Sequence, residues 1–182
     1  LDCLIVNEPI LYDLLGCAQS AFRTPHIKNI GSPANQEMDD YWKGIYDLIK
    51  PPQLPFMVET FVDSERIRPY FNTHNFSIDP SVGVFEKWLE CFSEVVSDKV
   101  FQRIACKDES YEVFLHQAIL STLLIKIIDQ RRLRILTPEY NYPMNFHKDI
   151  HENRRPLFLN ELGLLFLSRI LIISRTLQNI SK

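Results

Sequence analysis

Glycine is scarce in this chain, with five in 182 residues. Loops that cradle phosphates need glycines bunched where the backbone approaches a ligand, so neither a P-loop nor a complete dinucleotide-binding fingerprint can be drawn. HExxH and GxSxG are both missing, which removes the common zinc-protease and α/β-hydrolase signatures. The four cysteines, Cys3, Cys17, Cys91 and Cys106, stand far apart and form no CxxC pair, so a structural zinc site is not indicated. They are expected to be reduced and mostly buried, as in a cytoplasmic protein. No charge dominates either: 20 Lys and Arg face 23 Asp and Glu, leaving −3. The basic runs (Arg131, Arg132 and Arg134; Arg154 and Arg155) are short and read as solvated faces, so a nucleic-acid partner is not expected. Long hydrophobic runs are missing too. The most apolar segment, Leu162 to Ile173, is 12 residues long and contains Arg169, whereas a membrane-spanning helix needs about 20. The chain starts at Leu1 without an initiator Met, and Leu4–Val6 is too short for a signal peptide, so it reads as a portion of something longer.

What is present is ordinary for a water-soluble domain: 46% apolar and 24% charged residues, over a length that suits one domain with a real core. Leu4–Val6, Ala21–Arg23, Phe56–Val62, Phe76–Ile78 and Leu133–Leu136 read as short strands. Residues 26–36 read as loop. Helical spacing runs over Met38–Ile49 until Pro51-Pro52 stops it. Asp79-Pro80 is a helix-start signature for a segment with Val84, Phe85, Trp88, Leu89 and Phe92 on one face, breaking near Ser97-Asp98 and continuing to Ile104. Tyr111–Asp129 is apolar nearly all round and is expected deep in the core. A Pro-rich loop then runs to Pro156, and a last helix is expected over Leu159–Leu177. Together these predict an α/β fold, with a mixed sheet of about five short strands flanked by helices.

Histidine offers the chemistry. His147 and His151, four residues apart, would share a face if helical and point to a divalent metal or a phosphate, or else are two exposed loop side chains. His116-Gln117 opens the apolar helix, as a hydrogen-bonding entry device or as the wall of a cleft. The run Asn72-Thr73-His74-Asn75 separates Phe71 from Phe76 and is expected to form a polar turn.

Three segments, in order, resemble a known family. Tyr70-Phe71-Asn72-Thr73-His74-Asn75-Phe76-Ser77-Ile78, followed by a helix bearing Trp88, resembles a stretch of GT-A-fold glycosyltransferases, notably those like glycosyltransferase family 8. Phe114-Leu115-His116-Gln117-Ala118-Ile119-Leu120 resembles the family's D-Q-x-x-L element, where a polar pair at a helix start faces the sugar. Ile135-Leu136-Thr137-Pro138-Glu139-Tyr140-Asn141-Tyr142 is similar to the strand and loop that follow it. Leu1-Asp2-Cys3-Leu4-Ile5-Val6 is similar to the strand carrying the metal-binding D-x-D. The likeness covers residues 1–156, leaving 157–182 as a separate apolar C-terminal helix. Three positions depart from the pattern: Leu4 stands where the second Asp of D-x-D would be, His74 where a Gly follows the Asn, and His116 where an acid precedes the Gln. The family's N-terminal nucleotide-binding region would lie before Leu1.

The resemblance implies transfer of a sugar from a nucleotide-sugar donor to an acceptor. A divalent cation (manganese or magnesium), held by Asp2 with His147 or His151, would meet the charge developing on the diphosphate. Asn72, His116 and Gln117 would line the sugar and acceptor pocket, with His116 placed to act as a base. Because Leu4 cannot ligate and the nucleotide half is missing, the chain is expected to be incomplete as a catalyst. Two other readings remain: a non-catalytic interaction domain that self-associates through the C-terminal apolar helix, and a metal-dependent hydrolase built on His26, His74, His147 and His151.

Overall fold

A computed structural model describes residues 3–8, 10–14, 18–52, 56–158 and 162–166. The fold is α/β, with five α-helices and eight short strands among those residues. Its centre is a mixed three-stranded sheet. Strand β2 (Ser20–Arg23) lies in the middle, antiparallel to β5 (Asn72–Ile78) and parallel to β6 (Leu133–Ile135). All four residues of β2 are buried, as a strand covered on both faces must be.

Helix α5 (Leu115–Ile127) runs through the core, with Leu115 and every residue from Gln117 to Ile125 buried. The apolar-all-round pattern is therefore met by a helix with neighbours on every side. Helix α1 (Asp40–Ile49) and helix α2 (Val84–Ser97) pack against it. Asp39 caps α1 by accepting from the Trp42 N–H at 2.9 Å. Lys50, in the left-handed region at φ 53°, closes the helix just before Pro51. Trp42 is 1% exposed and donates its indole N–H to the Ile30 carbonyl at 2.7 Å, which pins the 26–36 loop to the core. The break near Ser97-Asp98 is real: Asp98 ends α2 and caps α3 (Lys99–Ile104).

Several expectations need correction. The helix expected over Tyr111–Asp129 is two: α4 (Glu109–Val113), capped by Asp108, and α5, with Phe114 between them at φ −97°, ψ 8°. Asp79-Pro80 opens a single 3-10 turn over Pro80–Val82, and α2 starts only after Gly83 at φ +69°. The strand expected over Phe56–Val62 is just β3 (Val58–Glu59), paired with β4 (Arg66–Ile67). The Thr60 hydroxyl accepts from the Glu65 N–H at 2.8 Å and folds the chain back there, overriding the β-propensity of Phe61 and Val62. Asn72–Asn75 is not a turn but the first half of β5, bulged against β2 between Ala21 and Arg23.

A second sheet was not foreseen. Within the Pro-rich stretch, β7 (Tyr140–Pro143) pairs with β8 (Leu164–Phe166), which also pairs with β1 (Cys3–Ile5). Leu164–Phe166 thus contradicts the expected C-terminal helix: its backbone groups are used across two neighbouring strands, a more demanding pairing than three residues of helix offer. The remainder of that helix lies outside the described residues. Phe61, Tyr142, Met144, Ile150 and Leu162 form a small satellite core beside this sheet. No helix among the described residues is long and apolar enough to cross a membrane. Cys91 and Cys106 are buried free thiols, as expected.

Ile119 is fully buried on α5, so Ile119→Ala is expected to lower unfolding free energy by about 2–5 kcal/mol in urea denaturation. Ile135→Ala, at a position 37% exposed, is expected to cost about 1 kcal/mol or less. Equal losses at the two sites would contradict the placement of α5.

Candidate active site

Two of the side chains singled out above, His116 and Gln117, meet Thr73 where β5 passes the N-terminus of α5. The Thr73 hydroxyl sits 3.0 Å from Gln117 Oε1 and 3.4 Å from His116 Nε2. The Thr73 N–H also donates to Gln117 Oε1 at 3.3 Å. Asn72, the neighbouring residue on β5, accepts at Oδ1 from the His74 N–H at 2.8 Å and contacts His74 Nδ1 at 2.6 Å. A backbone N–H can only donate, so the atom facing it is the oxygen, and Asn72 Nδ2 is the one turned to His26 Nε2 at 3.3 Å. His26 Nε2 is then an acceptor, and the ring is neutral.

The electrostatics agree. His26 is 7% exposed and its pKa is pushed down to about 3, first by burial and then by the nearby charges of Arg23 and His74. His116 is half-buried, and burial also holds it below the ordinary imidazole value. The Val113 carbonyl hydrogen-bonds its ring and can only accept. With the ring proton on that side and the Thr73 hydroxyl donating to Gln117, Nε2 keeps a lone pair facing the β5 edge. A neutral imidazole so placed is competent to take a proton.

The secondary structure makes the cluster rigid. Trp88 on α2 donates its indole N–H to the His116 carbonyl at 2.9 Å, tying down the start of α5. One turn further on, Ser121 donates to the Gln117 carbonyl at 2.7 Å and accepts the Phe71 N–H at 2.9 Å, locking α5 to the entry of β5. Asn72 and Gln117 are 4% and 5% exposed, so much of their hydrogen-bonding capacity is spent inside the protein, and His116 is the more accessible of the three.

The proposed metal ligands do not assemble in the same way. His147 lies half-buried with Nδ1 at 2.8 Å from the Tyr142 hydroxyl. Burial and the nearby Arg155 lower its pKa. His151 is exposed, with Nδ1 at 2.8 Å from Asn153 Oδ1. The segment between them is turn and bend, with 3-10 turns on either side rather than a helix, so the four-residue spacing places the rings against different partners. Asp2 lies outside the described residues. Among the described residues, no three His, Cys, Asp or Glu side chains come together as a metal-binding group. The four histidines of the hydrolase reading accordingly divide into a pair at Asn72 and two separately bonded rings.

Sequence reasoning missed Thr73, which joins His116 to Gln117, and Arg23, paired in register with Asn72. Arg23 did leave a signal: a cation next to Ala21-Phe22 in a short apolar strand needs a reason to be buried.

Two outcomes follow. Thr73→Val keeps the β-branched shape but removes the hydroxyl, and is expected to cost about 1 kcal/mol in urea denaturation and to move the His116 ring resonances and titration midpoint in NMR. An unmoved His116 signal would remove Thr73 from the cluster. For His26, the folded pKa lies below the unfolded value of about 6.5, so below that pH the unfolded chain binds a proton that the folded chain refuses. Its contribution is intact above pH 6.5 and is lost as pH falls towards 3. Between those limits the slope attributable to it approaches about 1.4 kcal/mol per pH unit, so urea unfolding from pH 7 to 4 is expected to be distinctly flatter for His26→Gln than for the wild type. Comparison with protein-family models, with curated proteins and with solved structures returns no match.

Proposed function

We propose that this chain is a glycosyltransferase-like domain that carries the sugar-and-acceptor side of a nucleotide-sugar-dependent transfer. The observation that supports this most is the junction of His116 and Gln117 on α5 with Thr73 on β5. They are 43 to 44 residues apart in sequence, His116 and Gln117 lie in the segment that resembles a sugar-facing element, and Asn72 is the next residue along β5, bonded to His26 and His74. A mixed sheet with helices packed on it is compatible with a GT-A-like arrangement.

In this reading His116 Nε2 takes the proton from an acceptor hydroxyl as that oxygen attacks the anomeric carbon. A neutral imidazole near pH 7 suits the task, and burial holds His116 in that form. Thr73 and Gln117 fix the position of the ring, while the Asn72–His26–His74 network stiffens the neighbouring stretch of β5. The charge developing on the leaving diphosphate must be met by a cation. The described residues do not form a donor set for manganese or magnesium, because His147 and His151 are engaged elsewhere and Leu4 has no ligating atom. No step is therefore routed through a metal.

The test is a thermal-shift comparison of intact nucleotide-sugars with their free nucleoside diphosphates, using uridine and guanosine forms, with and without manganese. A ligand confined to the native state raises Tm according to RT ln(1 + [L]/Kd). An intact donor is expected to raise Tm more than its free diphosphate, and the excess is expected to disappear in His116→Ala. Equal shifts for donor and diphosphate, or an excess unchanged in His116→Ala, would overturn the reading. A manganese-dependent shift would bring Asp2, His147 and His151 back as ligands.

A further inference from the structure

Arg23 is a buried cation with only part of its guanidinium satisfied. It is 3% exposed, and its Nε and Nη2, both closed off from solvent, have no hydrogen-bond acceptor. Its bonds are made through Nη1, which donates to the Leu136 carbonyl at 3.0 Å and lies 3.5 Å from the Thr24 hydroxyl. The bare atoms are not a random pair. Nε–H and one Nη2–H lie parallel along one edge of the guanidinium, and this fork is the edge that grips two oxygens of a carboxylate or phosphate side by side. A buried charge with unmade bonds is costly, and native proteins seldom leave such donors bare without an ion or water to meet them.

The surroundings add a second cation and room. Arg23 lines a cavity of about 310 Å³ together with Thr24, Phe61 and Arg154. The two guanidinium groups share one aromatic ring: Arg23 lies 5.6 Å and Arg154 4.9 Å from the centroid of Phe61. A second cavity of about 360 Å³ adjoins the first through Phe61, Pro138 and Arg154, and brings Arg155 to its wall. Both volumes fall in the range of small-ligand sites.

Two carboxylates face this cluster. Glu139 acts on Arg23 through space, and Glu59 lies 3.7 Å from Arg154. Glu59 is 57% exposed and its contact with Arg154 is long, so that pair is weak and can be exchanged for a better anion. Arg154 also donates to the Ser64 hydroxyl at 2.7 Å. Three cations against two carboxylates leave a positive balance, and the mutual repulsion of Arg23 and Arg154 across one ring is relieved by an anion placed between them. Burial lowers the Arg23 pKa to about 10, which leaves it charged at neutral pH.

We infer that the cavity lined by Arg23 and Arg154, beside the Phe61 ring, is a binding site for a phosphate-type oxyanion: Arg154 meets it at the rim, and the Nε/Nη2 edge of Arg23, closed off from solvent in the unbound chain, is uncovered to hold two of its oxygens side by side. A phosphate ester of a larger ligand and free inorganic phosphate share this chemistry. The site stands on its own geometry and does not require that a sugar be transferred. Arg23 is paired in register with Asn72 on the neighbouring strand.

The test is titration of the purified chain with sodium phosphate, sodium pyrophosphate and sodium acetate at constant ionic strength, read by thermal shift and by the Arg23 Nε–H resonance in NMR. Phosphate is expected to raise Tm and to shift the Arg23 Nε–H signal without manganese or any nucleotide. Arg154→Gln, on the rim, is expected to weaken phosphate affinity by about tenfold or more. Arg23→Met removes an unsatisfied buried charge, so it is expected to fold at least as well as the wild type while losing the phosphate response. Arg23→Lys keeps the charge but lacks the fork and is expected to bind weakly. If phosphate gives no shift beyond matched sodium chloride, if the shift survives in both Arg23→Lys and Arg154→Gln, or if acetate binds as tightly as phosphate, the assignment is overturned. A larger response to pyrophosphate than to phosphate supports a phosphate ester spanning the adjoining cavities; equal responses support free phosphate. None of these outcomes depends on a sugar donor, so failure here and failure of the transfer reading are separable.

Discussion

The fold depends on one demand: a helix buried on all sides must have every polar group satisfied from within. Helix α5 carries Gln117, Ser121 and Thr122 into a core otherwise made of Ala, Ile and Leu. Thr122 returns its hydroxyl to the Ala118 carbonyl at 2.9 Å, a local solution. Ser121 makes the same return bond to the Gln117 carbonyl but also accepts the Phe71 N–H at the entry of β5, while Gln117 takes its partner, Thr73, from β5 itself. An unmade bond at such depth costs about 1–3 kcal/mol, which is enough to select the register of β5 against the helix. The central sheet follows, since β5 positions β2 and β2 positions β6.

The same demand produces the candidate site. Because β5 is held to α5 by polar rather than apolar contacts at its first residues, histidine rings gather there: His116 from the helix, His74 from the strand, and His26 from the loop after β2. Burial keeps His26 and His116 below the ordinary imidazole value, and a buried, incompletely bonded Arg23 on β2 is paired in register with Asn72 beside them. A cation, neutral imidazoles and amide side chains side by side are a costly arrangement for stability alone. Evolution generally tolerates such cost where a ligand is to be met.

The second sheet and its satellite core have a different character. β1, β7 and β8 are short, and the cluster of Phe61, Tyr142, Met144, Ile150 and Leu162 is small. Phe61 belongs both to this cluster and to the arginine cavities, so the satellite core is also what presents an aromatic platform to Arg23 and Arg154. That double use explains why the chain turns so tightly at Thr60, only two residues after β3 begins.

Much could be read from the residues alone. The α/β class, the α1 stop at Pro51, the Asp98 break, the deep burial of α5 and the short strands at Ala21 and Leu133 all follow from local rules: period, capping chemistry and β-branched runs. The polar pair His116-Gln117 at a helix start is legible as a pattern, but its meeting with Thr73 is not. What failed did so where pairing overrules propensity. Asn72–Asn75 reads as a turn because its residues favour turns, yet it is a strand because β2 lies alongside and α5 supplies the side-chain partners. Leu164–Phe166 reads as helix because it is apolar, yet it is the middle strand of a sheet whose neighbours come from opposite ends of the described chain. The spacing of His147 and His151 carries no information once that segment is not helical. Local sequence thus determined which segments are regular and which faces are apolar. Only tertiary structure decided which strand meets which, and with it the bare edge of Arg23, because hydrogen-bond partners distant in the chain have no local signature.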